Sequence, residues 1–289
     1  MSSPLTVQQP AELLAFLFTS LPEVKKTKVR NWLKHESILV NDRVYTQFNH
    51  PLKPGDVVTI RSERTVRTIN TLPKSMKIHF EDEHLIVIDK PKNLLAIASE
   101  AEREKTAYVY LTDYVRGGNP RGKERIFIVH RLDRETSGLM VFAKTGEAKD
   151  LLQENWDQGE KRYQAVVEGS PPADQGTLLS YLDEANPYKV YSVPQSELTR
   201  HAITHYEVLQ RRTRMTLVEL RLETGRRHQI RVQLAEIGCP IVGDEKYSAR
   251  TDPAKRLGLH SCFLKFRHPI TGQELQFTSP LPAELAKLV

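Results

Sequence analysis

The stretch IVHRLDRETSGLMVFAKT, residues 128–145, holds a crowded polar segment between two apolar runs. Residues 126–129 and 139–143 have the length and apolar character of buried strands. The chain must turn between these strands, and the turn carries His130, Arg131, Asp133 and Ser137. This pattern predicts a strand–loop–strand unit whose loop presents acidic, basic and hydroxyl groups at one place.

Two catalytic interpretations of this loop are weak. A kinase catalytic loop needs an aspartate directly after His-Arg, whereas Leu132 follows here, and the chain has no glycine-rich phosphate loop. A Ser-His-Asp triad brings its members together from different elements, and G-x-S-x-G is missing. We therefore expect residues 136–138 to form a turn that returns the chain to the second strand.

A zinc site at HAITH, residues 201–205, is also disfavoured. His201 and His205 are four residues apart, but the segment alternates apolar and polar residues as a strand does. Residues i and i+4 of a strand lie about 13 Å apart, too far to share one metal ion. The sequence predicts no metal site.

Charge is unevenly distributed along the 289 residues. Residues 1–75 carry 11 Lys and Arg against 6 Asp and Glu, a net charge of +5 out of +6 for the whole chain. A basic module in front of a nearly neutral body is typical of polyanion binding, although a merely solvated basic face fits the charge equally well. The absence of a long apolar run and of a signal-peptide pattern favours a cytoplasmic protein without a membrane segment.

The basic N-terminal segment has the pattern helix–helix–strand–strand. Apolar spacing predicts helices over residues 11–21 and 23–36, then two short strands with turns at Asn41-Asp42 and at residues 54–56. This ααββ segment resembles the alpha-L RNA-binding domain found in a ribosomal protein and in RNA-modifying enzymes. The resemblance predicts a domain over residues 1–62 whose second helix binds RNA through Lys25, Lys26, Lys28, Arg30 and Lys34.

The rest of the chain, after a basic linker at residues 63–75, predicts one α+β domain over residues 76–289. Strand patterns outnumber helix patterns and close neighbours are joined by turns. Helices are expected at residues 106–114, 146–156 and 228–238. We therefore predict a mixed, mostly antiparallel β-sheet with flanking helices.

Five ordered blocks of this domain resemble the RluA family of pseudouridine synthases. They are EDEHLIVIDKP, the loop HRLDRETSG, KRYQAVVEG, LETGRRHQIRVQLAEIGCPIVGDEKY and LHSCFLKFRHPITGQELQFTSPLP. Two departures occur: Lys92-Asn93 replace a glycine after Lys-Pro, and Gln233 replaces a common histidine. The resemblance implies the pseudouridine synthase fold and isomerisation of uridine to pseudouridine in RNA.

The resemblance assigns roles to separate parts of the chain. Asp133 is the catalytic carboxylate, which either attacks C1′ or removes a C2′ proton, and both routes stay open. A carboxylate enclosed with a nucleobase tends to take up a proton, and the fixed cation Arg231 opposes this through bidentate pairing. Arg131 is implied to enter the stack that the flipped uridine leaves, and Tyr163 to stack on the uracil or take its C5 proton. Leu132 and Ile230 form apolar walls.

The resulting prediction is a monomeric, cofactor-free pseudouridine synthase that acts on structured RNA. Ribosomal RNA is favoured over transfer RNA because of the attached module. The main alternative is a non-catalytic RNA-binding or ribosome-assembly factor that retains the fold, and a hydrolase of RNA glycosidic bonds is a distant third. Asp133, Tyr163 and Arg231 are all present, which argues against a family member that has lost its catalytic activity. His130 is expected to anchor the loop by hydrogen bonds, with Arg134 and Glu135 facing solvent or RNA.

Overall fold

The protein divides into two compact units, Met1–Thr68 and Ile69–Val289. This computed structural model describes residues 4–34, 37–60, 72–99, 102–119 and 122–289. Most of the predicted linker, residues 63–71, lies outside the described residues. Among the helices that are described, none is long and apolar enough to cross a membrane.

The first unit contains both predicted helices, bounded more tightly than the sequence indicated. They are α1 (Leu13–Ser20) and α2 (Lys26–Lys34). The prediction of two strands is too low, because short pairings at the start of the chain and around the helices add others. The strands are β1 (Leu5–Thr6), β2 (Ala11–Glu12), β3 (Ile38–Val40), β4 (Arg43–Val44), β5 (Pro51–Leu52) and β6 (Val57–Ile60).

The sheet of this unit runs in the order β1-β6-β3-β4, and β2 pairs separately with β5. The predicted turn at Asn41-Asp42 is confirmed: both residues have positive φ, 50° and 64°, as tight hairpins between short strands require. Asn41 also donates to Asp56 at 2.8 Å, which ties the two predicted turns together. One apolar core lies beneath α1 and α2 and includes Leu13, Leu17, Val29, Leu33, Ile38 and Val58.

The second unit is built around one large sheet. Its order is β13-β12-β14-β15-β11-β16-β10-β8-β7, with β17 beside β16 and β9 beside β10. The strands are β7 (Lys77–Glu81), β8 (Leu85–Lys90), β9 (Phe127–Ile128), β10 (Ser137–Ala143), β11 (Glu160–Glu168), β12 (Gln175–Asp183), β13 (Tyr191–Val193), β14 (Arg200–Arg211), β15 (Met215–Leu222), β16 (Leu259–Arg267) and β17 (Glu274–Thr278).

All of these pairings are antiparallel except that of β10 with β16, which is parallel. The predicted α+β class, with a mixed and mostly antiparallel sheet, is therefore confirmed. The helices are α3 (Ala107–Val115), α4 (Gly146–Glu154), α5 (Gln229–Glu236) and α6 (Ala283–Ala286). Thr106 and Thr145 cap α3 and α4 by accepting a backbone N–H from three residues on.

The strand β10 lies inside this sheet and is buried along its whole length. Its side chains alternate between two cores, as a pleated strand dictates. Met140 and Phe142 face the core that includes Leu111 of α3, whereas Leu139 and Val141 face the core of α4. The loop that precedes β10 therefore starts from a rigid, two-sided scaffold.

Candidate active site

The loop between β9 and β10 presents Asp133 to the N-terminal part of α5. β9 and β10 pair with Ile128 opposite Phe142, so residues 129–136 form the connection at their ends. The half-buried Asp133 carboxylate lies 3.3 Å from an Arg231 guanidinium nitrogen and 3.8 Å from His228 Nε2. The loop thus brings one carboxylate to two nitrogen groups that are about a hundred residues away in sequence.

Lys90 stabilises the C-terminal side of this loop by hydrogen bonds. Its side chain is fully buried, and Nζ donates to the carbonyl oxygens of Pro91, Leu94 and Arg134 at 3.1, 2.8 and 3.2 Å. Burial lowers the pKa of Lys90 to about 7. Since Arg134 follows Asp133 directly, Lys90 fixes the backbone that carries the carboxylate.

His130 holds the other side of the loop, as predicted. Its Nε2 accepts the backbone N–H of Val141 at 3.1 Å, and its ring stacks on Trp156 with centroids 4.4 Å apart. Burial, with a smaller contribution from the Lys161 charge, lowers the pKa of His130 to about 3. The ring is therefore neutral at pH 7, which fits an anchor rather than a proton carrier.

A buried network of hydrogen bonds connects Ser137, at the end of the loop, to Asp89. Arg256 donates to Ser137 Oγ at 2.6 Å, Ser137 is 2.9 Å from His260 Nδ1, His260 Nε2 is 3.0 Å from Ser279 Oγ, and Ser279 donates to Asp89 at 2.6 Å. Arginine only donates and a carboxylate only accepts, so each hydroxyl and the imidazole can have one consistent proton direction. Burial lowers the pKa of His260 to about 4, which keeps the imidazole neutral.

The expectation that residues 136–138 form a turn is wrong for Ser137 and Gly138. Both lie inside β10 and are buried. Gly138 has φ +113°, and a Cβ there would lie 2.2 Å from the backbone oxygen of Ser261 on β16. The glycine is required by the close parallel approach of two strands, not by a reversal of the chain.

Arg231 lies on α5 and is almost completely buried between two carboxylates. Its Nε and one terminal nitrogen donate to the two oxygens of Asp244 at 2.7 and 2.8 Å. The other terminal nitrogen reaches one oxygen of Asp133 at 3.3 Å. The expected bidentate pairing with Asp133 is therefore wrong: Asp244, which the sequence analysis did not single out, takes the bidentate bond, and Asp133 receives a single one.

This arrangement fixes the charge and direction of the guanidinium. Burial alone would lower the pKa of Arg231, but the hydrogen bonds and negative charge of Asp244 raise it above its usual value. Asp244 is itself 1% exposed, so its carboxylate has little freedom to turn away. Arg231 is a permanent cation that is aimed at Asp133 by a buried partner. Glu135, expected to face solvent or RNA, also approaches Arg231, at 3.8 Å.

A pocket opens directly above this charge cluster. It measures about 390 Å³ when the open space at its mouth is included. It brings together all three predicted catalytic residues and the three predicted uridine contacts of this unit. Its lining includes Asp133, Tyr163, Arg231, Arg131, Leu132, Ile230, Leu222, Arg226 and His228.

Tyr163 enters the pocket from β11 and is 9% exposed. Burial and the neighbouring charge of Asp133 raise the pKa of its hydroxyl well above the usual value near 10. The phenol therefore remains protonated at neutral pH and cannot serve readily as a base. Its ring offers an apolar face to a planar ligand.

His228 and Tyr247 are two further groups that the sequence analysis missed. His228 precedes α5 in the left-handed conformation, φ 53°, and its Nδ1 is 2.8 Å from the Tyr247 hydroxyl. That hydroxyl also accepts the backbone N–H of the buried Val190 at 2.9 Å. His228 lies within TGRRHQIR, and Tyr247 ends GDEKY, so both were visible as motif members. Their contact depends on a fold that the sequence alone did not reveal.

The two departures from the family pattern have structural explanations. Asn93 has φ 62°, a conformation that asparagine tolerates better than most residues, so it replaces glycine at little cost. Gln233 is fully buried on α5, where it accepts from Thr204 at 2.6 Å and donates to the carbonyl oxygens of Leu178 and Ala202 at 3.1 Å. It fastens α5 to β12 and β14 and does not line the pocket.

In the first unit, the predicted RNA-contacting side chains of the α2 region are exposed. Several of them lie over aromatic rings: Lys26 and Arg30 approach Phe18, and Lys28 approaches Trp32, at 5.5 to 5.6 Å from the ring centroids. The buried face of α2 is formed by Val29 and Leu33. The exposed set is Lys25, Lys26, Lys28, Arg30 and Lys34.

Comparisons with known proteins all match this chain to RNA pseudouridine synthases. A family model described as RNA pseudouridylate synthase matches residues 84–236. The chain is 33% identical to the "Uncharacterized RNA pseudouridine synthase YlyB" of Bacillus subtilis, covering 98% of this chain and 94% of that protein. It is 31% identical to the "Ribosomal large subunit pseudouridine synthase D" of Vibrio cholerae, covering 97% and 90%.

A solved structure agrees. The human RNA pseudouridylate synthase domain containing 4 superposes with a TM-score of 0.60 at 27% identity, covering 73% of this chain and 90% of that one. The sheet, the Asp133 loop and the α5 motif all lie in the second unit, and the family match falls entirely within it. The chain therefore belongs to the RluA family of RNA pseudouridine synthases, isomerases that act on RNA.

Proposed function

We propose that this enzyme isomerises specific uridines of structured RNA, ribosomal RNA in the first place, with Asp133 as the catalytic carboxylate. The observation that carries the proposal is the position of Asp133 in the pocket, 3.3 Å from the guanidinium of Arg231. Arg231 is buried and is itself held by Asp244, so its positive charge stays directed at the carboxylate that either route uses.

The reaction breaks the N1–C1′ bond, turns the uracil within the pocket and joins C5 to C1′. Asp133 either attacks C1′ to give a covalent adduct or removes a C2′ proton to give a glycal. Nothing is oxidised and no group leaves the nucleotide, so the chemistry can be completed by side chains alone. The pocket must keep the detached base close, and Leu132, Ile230 and the ring of Tyr163 supply apolar walls for this.

A uridine within folded RNA must leave its stack to reach Asp133, at a cost of a few kcal/mol. Arg131 is exposed at the pocket rim, two residues before the carboxylate. We assign it to the space that the flipped base vacates, where a guanidinium can stack on the neighbouring bases.

The basic first unit provides the wider RNA contact in this proposal. Its five exposed Lys and Arg side chains at residues 25–34 match the requirement for phosphate neutralisation. Ribosomal RNA is favoured because the relatives from Vibrio cholerae and Escherichia coli bear the name ribosomal large subunit pseudouridine synthase D. Transfer RNA is the second substrate class to be tested.

The catalytic proposal is tested by tritium release from RNA labelled at uracil C5. Wild-type enzyme should release tritium, and Asp133→Asn, which keeps the shape but not the charge, should release none. Asp150→Asn is the matched control because its side chain is 72% exposed, and it should behave as wild type. If wild type releases no tritium from ribosomal or transfer RNA, the proposal fails and the non-catalytic RNA-binding factor becomes the better reading.

The role of the first unit is tested by replacing Lys25, Lys26, Lys28, Arg30 and Lys34 together with glutamine. Each phosphate contact that is lost should reduce the slope of log K against log salt by about 0.9. We expect weaker RNA binding and a flatter salt dependence, while the circular dichroism of the protein stays unchanged. An unchanged slope would show that these side chains do not contact the backbone of the RNA.

A further inference from the structure

We propose that His228 Nε2 is the base that removes the C5 proton of the uracil after C5 has joined C1′. The inference rests on the proposed function, because it takes the position of C1′ from the assignment of Asp133. It gives the pocket a proton acceptor separate from the carboxylate that acts on the sugar.

The base that takes the C5 proton must lie close to the Asp133 carboxylate. The proton leaves C5 only when C5 is bonded to C1′, and C1′ lies in contact with the Asp133 carboxylate. The acceptor must therefore lie within a few ångströms of that carboxylate and open onto the pocket. His228 Nε2 meets both conditions: it is 3.8 Å from Asp133 Oδ2, and His228 lines the pocket.

The neighbouring groups are poor acceptors. Arg231 is nearer, at 3.3 Å, but a guanidinium is a donor only. The Tyr163 hydroxyl is buried and stays protonated, since its pKa is raised. Lys90 does not line the pocket, and its ammonium already donates to three carbonyl oxygens. Asp133 itself is the remaining rival, and the experiment below separates it from His228.

A second requirement concerns the tautomer of His228. The Tyr247 hydroxyl accepts the Val190 N–H at 2.9 Å and donates to the Val190 carbonyl oxygen at 3.2 Å. Its one proton is then used, so at 2.8 Å from His228 Nδ1 it accepts and Nδ1 carries the hydrogen. The opposite tautomer would take the donor away from the buried Val190 carbonyl oxygen, which is costly. Nε2 consequently carries the lone pair, on the side of the ring that lies 3.8 Å from Asp133 Oδ2.

The backbone and the surrounding charges keep this lone pair available. His228 caps α5, where its carbonyl oxygen accepts the N–H of Val232 at 3.0 Å. Burial lowers the pKa of His228 to about 4 against the opposing charge of Asp133, and the cations Arg231, Lys246 and Arg227 lower it further. The imidazole is therefore unprotonated at pH 7, so no bound proton occupies its second nitrogen.

The proposed step balances. The lone pair of Nε2 forms a bond to the C5 proton, and the electrons of the C5–H bond form the C5–C6 double bond. The electrons of the former C6–N1 double bond move to N1, which takes up one proton. One proton leaves C5 and one arrives at N1, as an isomerisation requires. The imidazolium then returns its proton to water, which accounts for the release of a C5 label.

The test compares uridine RNA with RNA that carries 5-fluorouridine at the target position. Fluorine leaves no C5 proton to remove, yet the glycosidic bond can still break and C5 can still join C1′. The variant is His228→Asn, because asparagine tolerates the left-handed backbone and its amide can still donate to Tyr247. The asparagine side chain lacks only a nitrogen at the position of Nε2. Full-length wild type and variant are compared on each RNA under single-turnover conditions, with C5-linked nucleoside measured after digestion.

We expect His228→Asn to form pseudouridine from uridine about 100-fold more slowly, the lower end of general-base contributions. The same variant should rearrange 5-fluorouridine at the wild-type rate. His205→Asn, a change at a half-buried histidine of β14 that does not line the pocket, should be neutral on both substrates.

Two results overturn the assignment. If the variant is slowed equally on both RNAs, His228 positions Asp133 or the substrate and does not take the proton. If it matches wild type on both, Asp133 or water takes the proton. Failure of the proposed function looks different, because wild type would then convert neither RNA.

Discussion

Replacing Arg231 with lysine keeps the positive charge and removes the geometry that the structure assigns to it. The guanidinium makes three hydrogen bonds to two carboxylates: 2.7 and 2.8 Å to Asp244, and 3.3 Å to Asp133. A lysine ammonium is one point charge on a flexible stem and cannot reproduce this fork. We expect it to stay with Asp244, whose carboxylate is almost fully buried and would be costly to leave unpaired.

The catalytic loss follows from the contact that is given up. A hydrogen bond to a charged group contributes about 1.5–3 kcal/mol, and every 1.36 kcal/mol of barrier corresponds to a factor of ten in rate. Losing the Asp133 contact should therefore slow catalysis about 10- to 100-fold.

The assay is single-turnover tritium release for wild type, Arg231→Lys and Arg221→Lys. Arg221 is exposed on β15 and serves as the matched control, for which no change is expected. An Arg231→Lys enzyme that turns over within twofold of wild type would contradict this expectation. Charge alone would then suffice, and the fork held by Asp244 would be irrelevant to catalysis.

Three other predictions follow from the groups that hold the Asp133 loop. Lys90→Met should lower the free energy of unfolding in urea by about 2–4 kcal/mol, because the carbonyl oxygens of Pro91, Leu94 and Arg134 lose their buried donor. An unchanged midpoint of the urea unfolding curve would contradict this. His130 has a folded pKa of about 3, below its unfolded value near 6.5, so its contribution is complete above pH 6.5 and is lost as the pH falls toward 3. Acidification from pH 6.5 to 5 should therefore lower the free energy of unfolding of wild type by about 2 kcal/mol more than that of His130→Gln. Urea unfolding at each pH measures both values. Parallel curves of unfolding free energy against pH for the two proteins would contradict this. Ser279→Ala, which cuts the chain from Ser137 to Asp89, should lower kcat about tenfold with little change in KM, whereas a change in KM alone would mean that the chain does not position the loop.

Local structure could be predicted well because its causes are local. The apolar spacing of α4 and the left-handed Asn41-Asp42 turn are determined by residues within a few positions of one another. The loop around Asp133 was found for the same reason, because its two flanking strands are adjacent in the chain.

The errors at the candidate site involve contacts between residues far apart in sequence. Gly138 was taken for a turn residue because its close neighbour, Ser261 on the parallel strand β16, is more than a hundred residues away. Asp244 was visible in the motif, but nothing in the sequence indicated that it would take the bidentate bond from Arg231. His228 is found at the site only once β10, α5 and the Tyr247 segment are brought together.

We propose above that Asp133 is the group on which conversion of uridine to pseudouridine in RNA depends. The most direct measurement maps pseudouridines at single-nucleotide resolution in ribosomal RNA from cells that lack this protein, after incubation with wild type or with Asp133→Asn. Wild type should restore defined positions, and Asp133→Asn should restore none although it still binds the RNA. Restoration of the same positions by Asp133→Asn would contradict it.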